Sequence, residues 1–118
     1  MAYIIRKTNG TQIGTIADGT LDDRNATSLQ LVGRNYSNYG QIMTDNLVSL
    51  LENFAYTVSP PNPLAGQLWY DTTTNNTRLK LYTGTEYKTI AILQSQGTAP
   101  STTSAGDLWW DSVEEQLY

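Results

Sequence analysis

Ala65-Gly66-Gln67-Leu68-Trp69-Tyr70-Asp71 and Ala105-Gly106-Asp107-Leu108-Trp109-Trp110-Asp111 are one short phrase written twice, forty residues apart, with Pro60 and Pro100 in the same register. Tryptophan is rare and two of the three in this chain fall in step, so the phrases are copies of one structural unit. Each copy reads as a short strand entered through a glycine turn. After the first come the turn-rich stretch 72–77, then Arg78-Leu79-Lys80-Leu81-Tyr82, Thr83-Gly84-Thr85 and Glu86-Tyr87-Lys88-Thr89-Ile90. Alternation and turn chemistry there predict a three-stranded meander. In the second copy the leucine matching Leu79 is Leu117, so that connection is two residues shorter, and Tyr118 falls near the start of the matching strand. A unit cut at that point leaves backbone groups unpaired. The expectation is that the native protein continues, or that another chain completes the sheet.

Upstream of the repeat, Tyr3-Ile4-Ile5-Arg6-Lys7 and Thr11-Gln12-Ile13-Gly14-Thr15-Ile16 flank Asn9-Gly10, the pair suited to a two-residue hairpin turn. Asp18-Gly19 marks a second turn, Asp22-Asp23-Arg24-Asn25 a polar loop, and Ser28-Leu29-Gln30-Leu31-Val32 a further strand ending at Gly33. The period then changes: Tyr39, Ile42, Met43, Asn46, Leu47, Leu50, Leu51 and Phe54 follow the spacing of one helical face. Ser37 or Asn38 is placed to cap this helix, and Ser59-Pro60-Pro61-Asn62-Pro63 forbids its continuation. A lone helix of about 15 residues is marginal in water, so the stripe is expected to dock on the amino-terminal sheet. The stretch 94–104 reads as a flexible linker.

Composition narrows the function by exclusion. Seven basic residues against eleven acidic, with no basic cluster, argue against nucleic acid, which needs Lys and Arg against its phosphates. The absence of Cys and His removes disulfides, imidazole bases and the usual zinc ligands, so no cofactor and no metal site are expected. No apolar run approaches the ~20 residues of a membrane span, and the first residues lack the pattern of a signal peptide, which suits synthesis in the cytoplasm. Asp22, Asp23 and Asn25 lack the glycine and bidentate glutamate of a calcium loop and read as a solvated turn. Glu114-Glu115 reads as an exposed pair. No pair of carboxylates is held across a cleft by any pattern in the chain, and nucleophile triads have no base to use, so the chain reads as non-enzymatic.

The run Leu31-Val32-Gly33-Arg34-Asn35-Tyr36-Ser37-Asn38-Tyr39-Gly40, with Asn46-Leu47-Val48-Ser49-Leu50-Leu51-Glu52-Asn53-Phe54-Ala55 and the Gly-Gln-Leu-Trp-Tyr-Asp unit, resembles the amino-terminal region of tail-fibre and baseplate-associated virion proteins of contractile-tailed bacteriophages. The resemblance covers roughly residues 29–118. It implies a structural part of the virion without cofactor, made in the host cytoplasm, held to the particle by other phage tail or baseplate proteins and commonly homotrimeric. A carboxy-terminal receptor-binding tip, which the family pattern includes, is not in these residues. Host recognition is therefore expected to be indirect, and a neck or head fibre fits the same residues.

Two functions are open for the aromatic pairs. Trp69, Tyr70, Trp109 and Trp110 could form platforms for sugar rings, with Asp71 or Asp111 accepting hydroxyl bonds, as in an adhesin for bacterial surface glycan. Strand alternation instead puts one aromatic of each pair inward as core and its neighbour outward, where it could meet another chain. Arg34 and Arg6 are candidates for clamping carboxylates or carbonyls. Arg34 and Tyr36 lie between the last amino-terminal strand and the helix, Tyr36 and Tyr39 are expected to seat it, and Phe54 closes its stripe. The fold expected is α+β and mostly β: residues 1–58 form a small antiparallel sheet with one docked amphipathic helix, 59–93 a first β-unit, and 94–118 a linker and the start of a second.

Overall fold

A computed structural model describes residues 1–74, 77–91, 93–101 and 105–118. The described residues are mostly β with one helix, as the sequence pattern predicts, and their strands form small separate sheets. It is long and thin: the radius of gyration is 19.1 Å, against about 13–14 Å for a compact chain of this length.

The amino-terminal region divides into two ribbons. β1 (Tyr3–Arg6) pairs with β2 (Gln12–Ile16), and β3 (Leu21–Asp23) with β4 (Gln30–Val32), both antiparallel. The first turn differs from the two-residue expectation. Gly10 N–H donates to the Lys7 carbonyl and Lys7 N–H to that of Thr11, enclosing Thr8-Asn9-Gly10 as a three-residue loop with Gly10 at φ 89. This loop length places its glycine in the left-handed region. The polar loop expected at Asp22-Asp23 is also corrected, because both residues belong to β3. The turn starts afterwards, with the Asp22 carboxylate accepting from the Asn25 and Ala26 amides. At Gly33 a side chain has no room, since a Cβ would lie 2.1 Å from the Ala17 carbonyl oxygen. Gly33 N–H donates to Thr20 at 2.8 Å, tying the end of β4 to the start of β3.

α1 (Tyr39–Leu51) ends differently from the proline stop. Asn53 N–H donates to Leu50 and Phe54 N–H to Ser49, with Asn53 at φ 52. This is the Schellman arrangement, in which a left-handed residue just past the helix lets two amides satisfy its last carbonyls. The prolines lie beyond a turn that has already ended the helix. At the other end neither expected cap operates: Asn38 occupies the N-cap position in the left-handed region and makes no side-chain cap bond.

Helix docking is slighter than the stripe suggests. Its bond to the sheet is polar: the Asn46 carboxamide donates to the Gln30 carbonyl at 2.7 Å and accepts from the Gln30 amide at 3.2 Å. At about 100° per residue, the half-buried Ile42, Asn46 and Ser49 share one arc. Tyr39, Met43, Leu47, Leu50 and Leu51 occupy the next arc, roughly a quarter turn away, and all five are exposed, Tyr39 at 65%, Leu47 at 59% and Leu51 at 82%. Tyr39 therefore does not seat the helix, and no helix residue is fully buried.

The first β-unit is the meander expected, β5 (Leu68–Asp71), β6 (Arg78–Tyr82) and β7 (Tyr87–Thr89), paired in that order. The second is β8 (Leu93–Gln96), β9 (Leu108–Asp111) and β10 (Gln116–Leu117), with β9 central. β8 runs parallel to β9, so the start of the stretch expected to be linker is a strand of the second sheet. Asn75 and Asn76 of the first turn, and 102–104 of the linker, lie outside the described residues.

Among the described residues the buried apolar side chains are Ile16, Pro60 and Trp69, while Thr27, Ser28, Asp71, Arg78 and Asp111 are buried polar ones. Small units with little apolar volume hold together through satisfied polar corners, because each unpaired buried group would cost about 1–3 kcal/mol.

Candidate functional site

The two tryptophan units share their hydrogen bonds as well as their sequence. Trp69 Nε1 donates to the Tyr56 carbonyl at 3.2 Å, and Trp109 Nε1 to the Gln96 carbonyl at 3.0 Å. Those same carbonyls accept from the Thr72 and Ser112 amides, at 3.1 and 3.2 Å. Tyr56 pairs in parallel with Asp71, as Gln96 does with Asp111. Each correspondence has the forty-residue offset of the sequence repeat. The structural unit thus begins earlier than the phrase that betrays it, at 53–56 and 93–96. In the first unit Asn53 accepts from the Tyr70 amide and Tyr56 donates to the Tyr70 carbonyl, so pairing crosses the boundary drawn at residue 58.

Alternation sorts the aromatics. Trp69 is 7% exposed and points inward, while Tyr70 is 41% and Trp110 38% exposed on the outer faces. The Trp69 ring meets Tyr87 edge-on at 5.1 Å, and Lys80 Nζ sits 4.8 Å over its face. Trp109 is half-buried and stacks on Tyr118 at 4.9 Å. Allowing for the shorter connection, Tyr118 occupies the place of Lys80: Tyr70 pairs with Leu79 and Trp110 with Leu117. A cation covers one indole and an aromatic ring the other. Trp69 is closed to a sugar, Trp109 has one face taken by Tyr118, and the outward Tyr70 and Trp110 are the most exposed rings of the two pairs.

The aspartates close their own units. Asp71 Oδ1 accepts from Thr73 Oγ1 at 2.6 Å and Thr73 N–H at 3.0 Å, and Oδ2 from Lys80 Nζ at 2.9 Å. Burial pushes its carboxyl up, but the bonds from Thr73 and Lys80 outweigh burial and hold it below the ordinary value. Asp111 Oδ1 accepts from the Val113 and Glu114 amides. Both carboxylates are buried, turned into the fold rather than towards a ligand. Tyr87, whose hydroxyl is buried without a hydrogen-bond partner, has its pKa raised by that burial and by nearby Tyr82.

The remaining sequence candidates are scattered. The Arg34 guanidinium lies 5.3 Å over the Tyr3 ring, and its backbone carbonyl accepts from Gly19 at 2.6 Å, tying the two ribbons together. Tyr36 and Tyr39 border a shallow surface pocket with Tyr3, and Phe54 lines a separate apolar one with Leu29, Leu31 and Leu50. Among the described residues Arg6 donates to the carbonyl of Gly10, in its own hairpin.

Three groups were not singled out by sequence. Arg78, 5% exposed, donates to the Asp107 carboxylate and the Ala105 carbonyl. Lys80 bridges Trp69 and Asp71. Gln67 Nε2 donates to Ser28 Oγ at 2.8 Å, which donates to the Pro61 carbonyl. A basic residue in a strand beside a tryptophan was the available signal for the first two, whereas Gln67 reaches a residue 39 positions away and left none.

Among the described residues no group of three or more acidic side chains could hold a metal ion, and no helix is long and apolar enough to cross a membrane. Compared with known proteins, the chain matches no protein-family profile, no curated protein and no solved structure.

Proposed function

We propose that this chain is an assembly segment of a virion fibre, the amino-terminal attachment part of a phage tail fibre or its baseplate connection, and that it associates with further copies of itself. The exposed stripe Tyr39-Met43-Leu47-Leu50-Leu51 carries the self-association part of this reading. Five large apolar side chains lie in one arc of a helix whose adjacent arc touches the sheet, and a contiguous apolar face of this kind marks an interaction site.

The charges favour a second copy as the occupant. Asp45 and Glu52 lie on the far side of the helix from the stripe, by the 100° step, and α1 contains no Lys or Arg. Bringing identical stripes together therefore opposes no carboxylate to another, and gives an oppositely charged partner nothing to read. The stripe spans about 120° of the helix, wider than the seam of a two-stranded coil, and suits contact with two neighbours. A homotrimer meets that condition.

The resemblance of residues 29–118 to fibre proteins, the elongated shape and the repeated β-units support the virion reading. The test is mass spectrometry of purified particles: peptides of this chain at stoichiometric abundance in washed virions are expected, and their confinement to the soluble lysate would overturn it. A density map of the particle would separate a tail fibre from a neck or head fibre.

The outward Tyr70 and Trp110 favour a second reading, a glycan-binding adhesin module. Saturable binding on a glycan array, lost in Tyr70→Ala or Trp110→Ala, would favour it over assembly alone.

A further inference from the structure

The two β-units are entered through the same corner, Ala-Gly-x-Leu-Trp, with the glycine at φ 91 in one and φ 94 in the other. The variable residue of that corner is Gln67 in the first unit and Asp107 in the second. Both reach backwards along the chain, to whatever module comes before. Gln67 donates through Nε2 to Ser28 in the amino-terminal region, while its Oε1 accepts from the Leu64 amide of its own turn. Asp107 accepts from Arg78 of the first unit, and Arg78 also donates to the carbonyl of Ala105, two residues before Asp107.

We propose that this corner is a joint, and that the residue at its variable position specifies which preceding module it accepts. A neutral carboxamide takes a hydroxyl; a carboxylate takes a guanidinium, held by a second bond to the adjacent carbonyl. The Arg78–Asp107 pair is shielded, with side chains 5% and 9% exposed. A charge-assisted hydrogen bond in a shielded place is stronger than a neutral one, so the second corner favours a predecessor that carries a cation at the position of Arg78. The joint makes the order of units directional: each unit reads the one before it through its entry corner. The residue of β10 that matches Arg78 is Gln116, paired with Asp111 as Arg78 is with Asp71. A following unit seated on β10 would then meet an uncharged donor and need a neutral corner, as at Gln67. This inference is independent of the assembly proposal, because it concerns contacts within one chain.

The chain has no cysteine, so Lys88→Cys and Ser112→Cys can carry two spin labels, one on each unit, for distance measurement by double electron–electron resonance. The labelled chain is expected to give one narrow distance distribution. Arg78→Gln and Asp107→Asn, each made alone, are expected to broaden it at least twofold. The double variant Arg78→Gln/Asp107→Asn removes both charges and makes the joint neutral, and is expected to broaden it no more than the worse single variant. Amide exchange at Tyr70 and Leu79 is followed in the same samples to show that the first unit stays folded; where a variant unfolds it, Arg78→Lys replaces that variant, and broadening there is the expected result. Single variants with unchanged distributions, or a double variant whose broadening is the sum of the two, would overturn the joint.

Discussion

The side chain of Asn46 stands in for a β-strand: its carboxamide donates to the carbonyl of Gln30 and accepts from the amide of the same residue, as a neighbouring backbone would. One residue thereby fixes the edge of β4 and the rotation of α1. Because Asn46 sits at the margin of the apolar stripe, holding it against the strand turns Met43, Leu47 and Leu51 away from the fold and leaves Tyr39 and Leu50 exposed along its edge. The exposed face is a consequence of that anchor.

Asn46→Ala removes both bonds and leaves two half-buried backbone groups of Gln30 without their partner. The expected cost is about 1–3 kcal/mol, read from the urea midpoint. Asn46→Asp keeps the acceptor but sets a carboxylate against the Gln30 carbonyl, and is expected to cost at least as much. An Asn46→Ala midpoint equal to that of the parent chain would remove the anchor.

Trp69 and Trp109 hold equivalent places with unequal burial. Trp69→Ala is expected to cost about 3–5 kcal/mol and to unfold its unit, measured by circular dichroism during urea unfolding. The half-buried Trp109 leaves a smaller hole, so Trp109→Ala is expected to cost less and to spare the first unit. Equal losses would contradict the difference in burial.

At the helix end, Asn53 adopts a left-handed conformation that costs most side chains about 1–2 kcal/mol. Asn53→Ala is expected to lower stability by about 1 kcal/mol, whereas Asn53→Gly, free of that penalty, should not lower it by the same route. Thermal melts of the two variants check the ordering.

Asp71 gives the first unit an acid limit. Its folded carboxyl lies below the ordinary 3.8, so its contribution to stability is complete above the unfolded value and is lost as pH falls through the folded one. Lys80→Met removes a hydrogen bond and a cation from the carboxylate, which moves the folded pKa upward. Acid unfolding followed by Trp69 fluorescence in a Trp109→Phe/Trp110→Phe background should therefore begin at higher pH in Lys80→Met.

Much of the fold was legible because its signals are local. The meander follows from alternation in 67–90, and the helix from the spacing of Tyr39 to Leu51. The apolar spacing runs on to Phe54, past the last helical residue Leu51, because the asparagine that ends the helix acts only through its φ. β8 was hidden for a different reason: Leu93-Gln94-Ser95-Gln96 has little apolar character, and only its pairing with β9 makes it a strand. The inward placement of Trp69 follows from alternation, but the covers on each indole come from residues brought near by strand register. A helical stripe likewise announces an apolar face without saying which arc the rest of the chain will occupy. That depended on one polar residue within the stripe.

Self-association through the α1 stripe is tested most directly by multi-angle light scattering on the parent chain beside Leu47→Glu/Leu51→Glu, at tens of micromolar. The parent is expected at about three times the 13.1 kDa protomer mass, and the variant at the protomer mass with an unchanged circular dichroism spectrum. A folded parent that remains at the protomer mass, or a folded variant that keeps the oligomer, would contradict it.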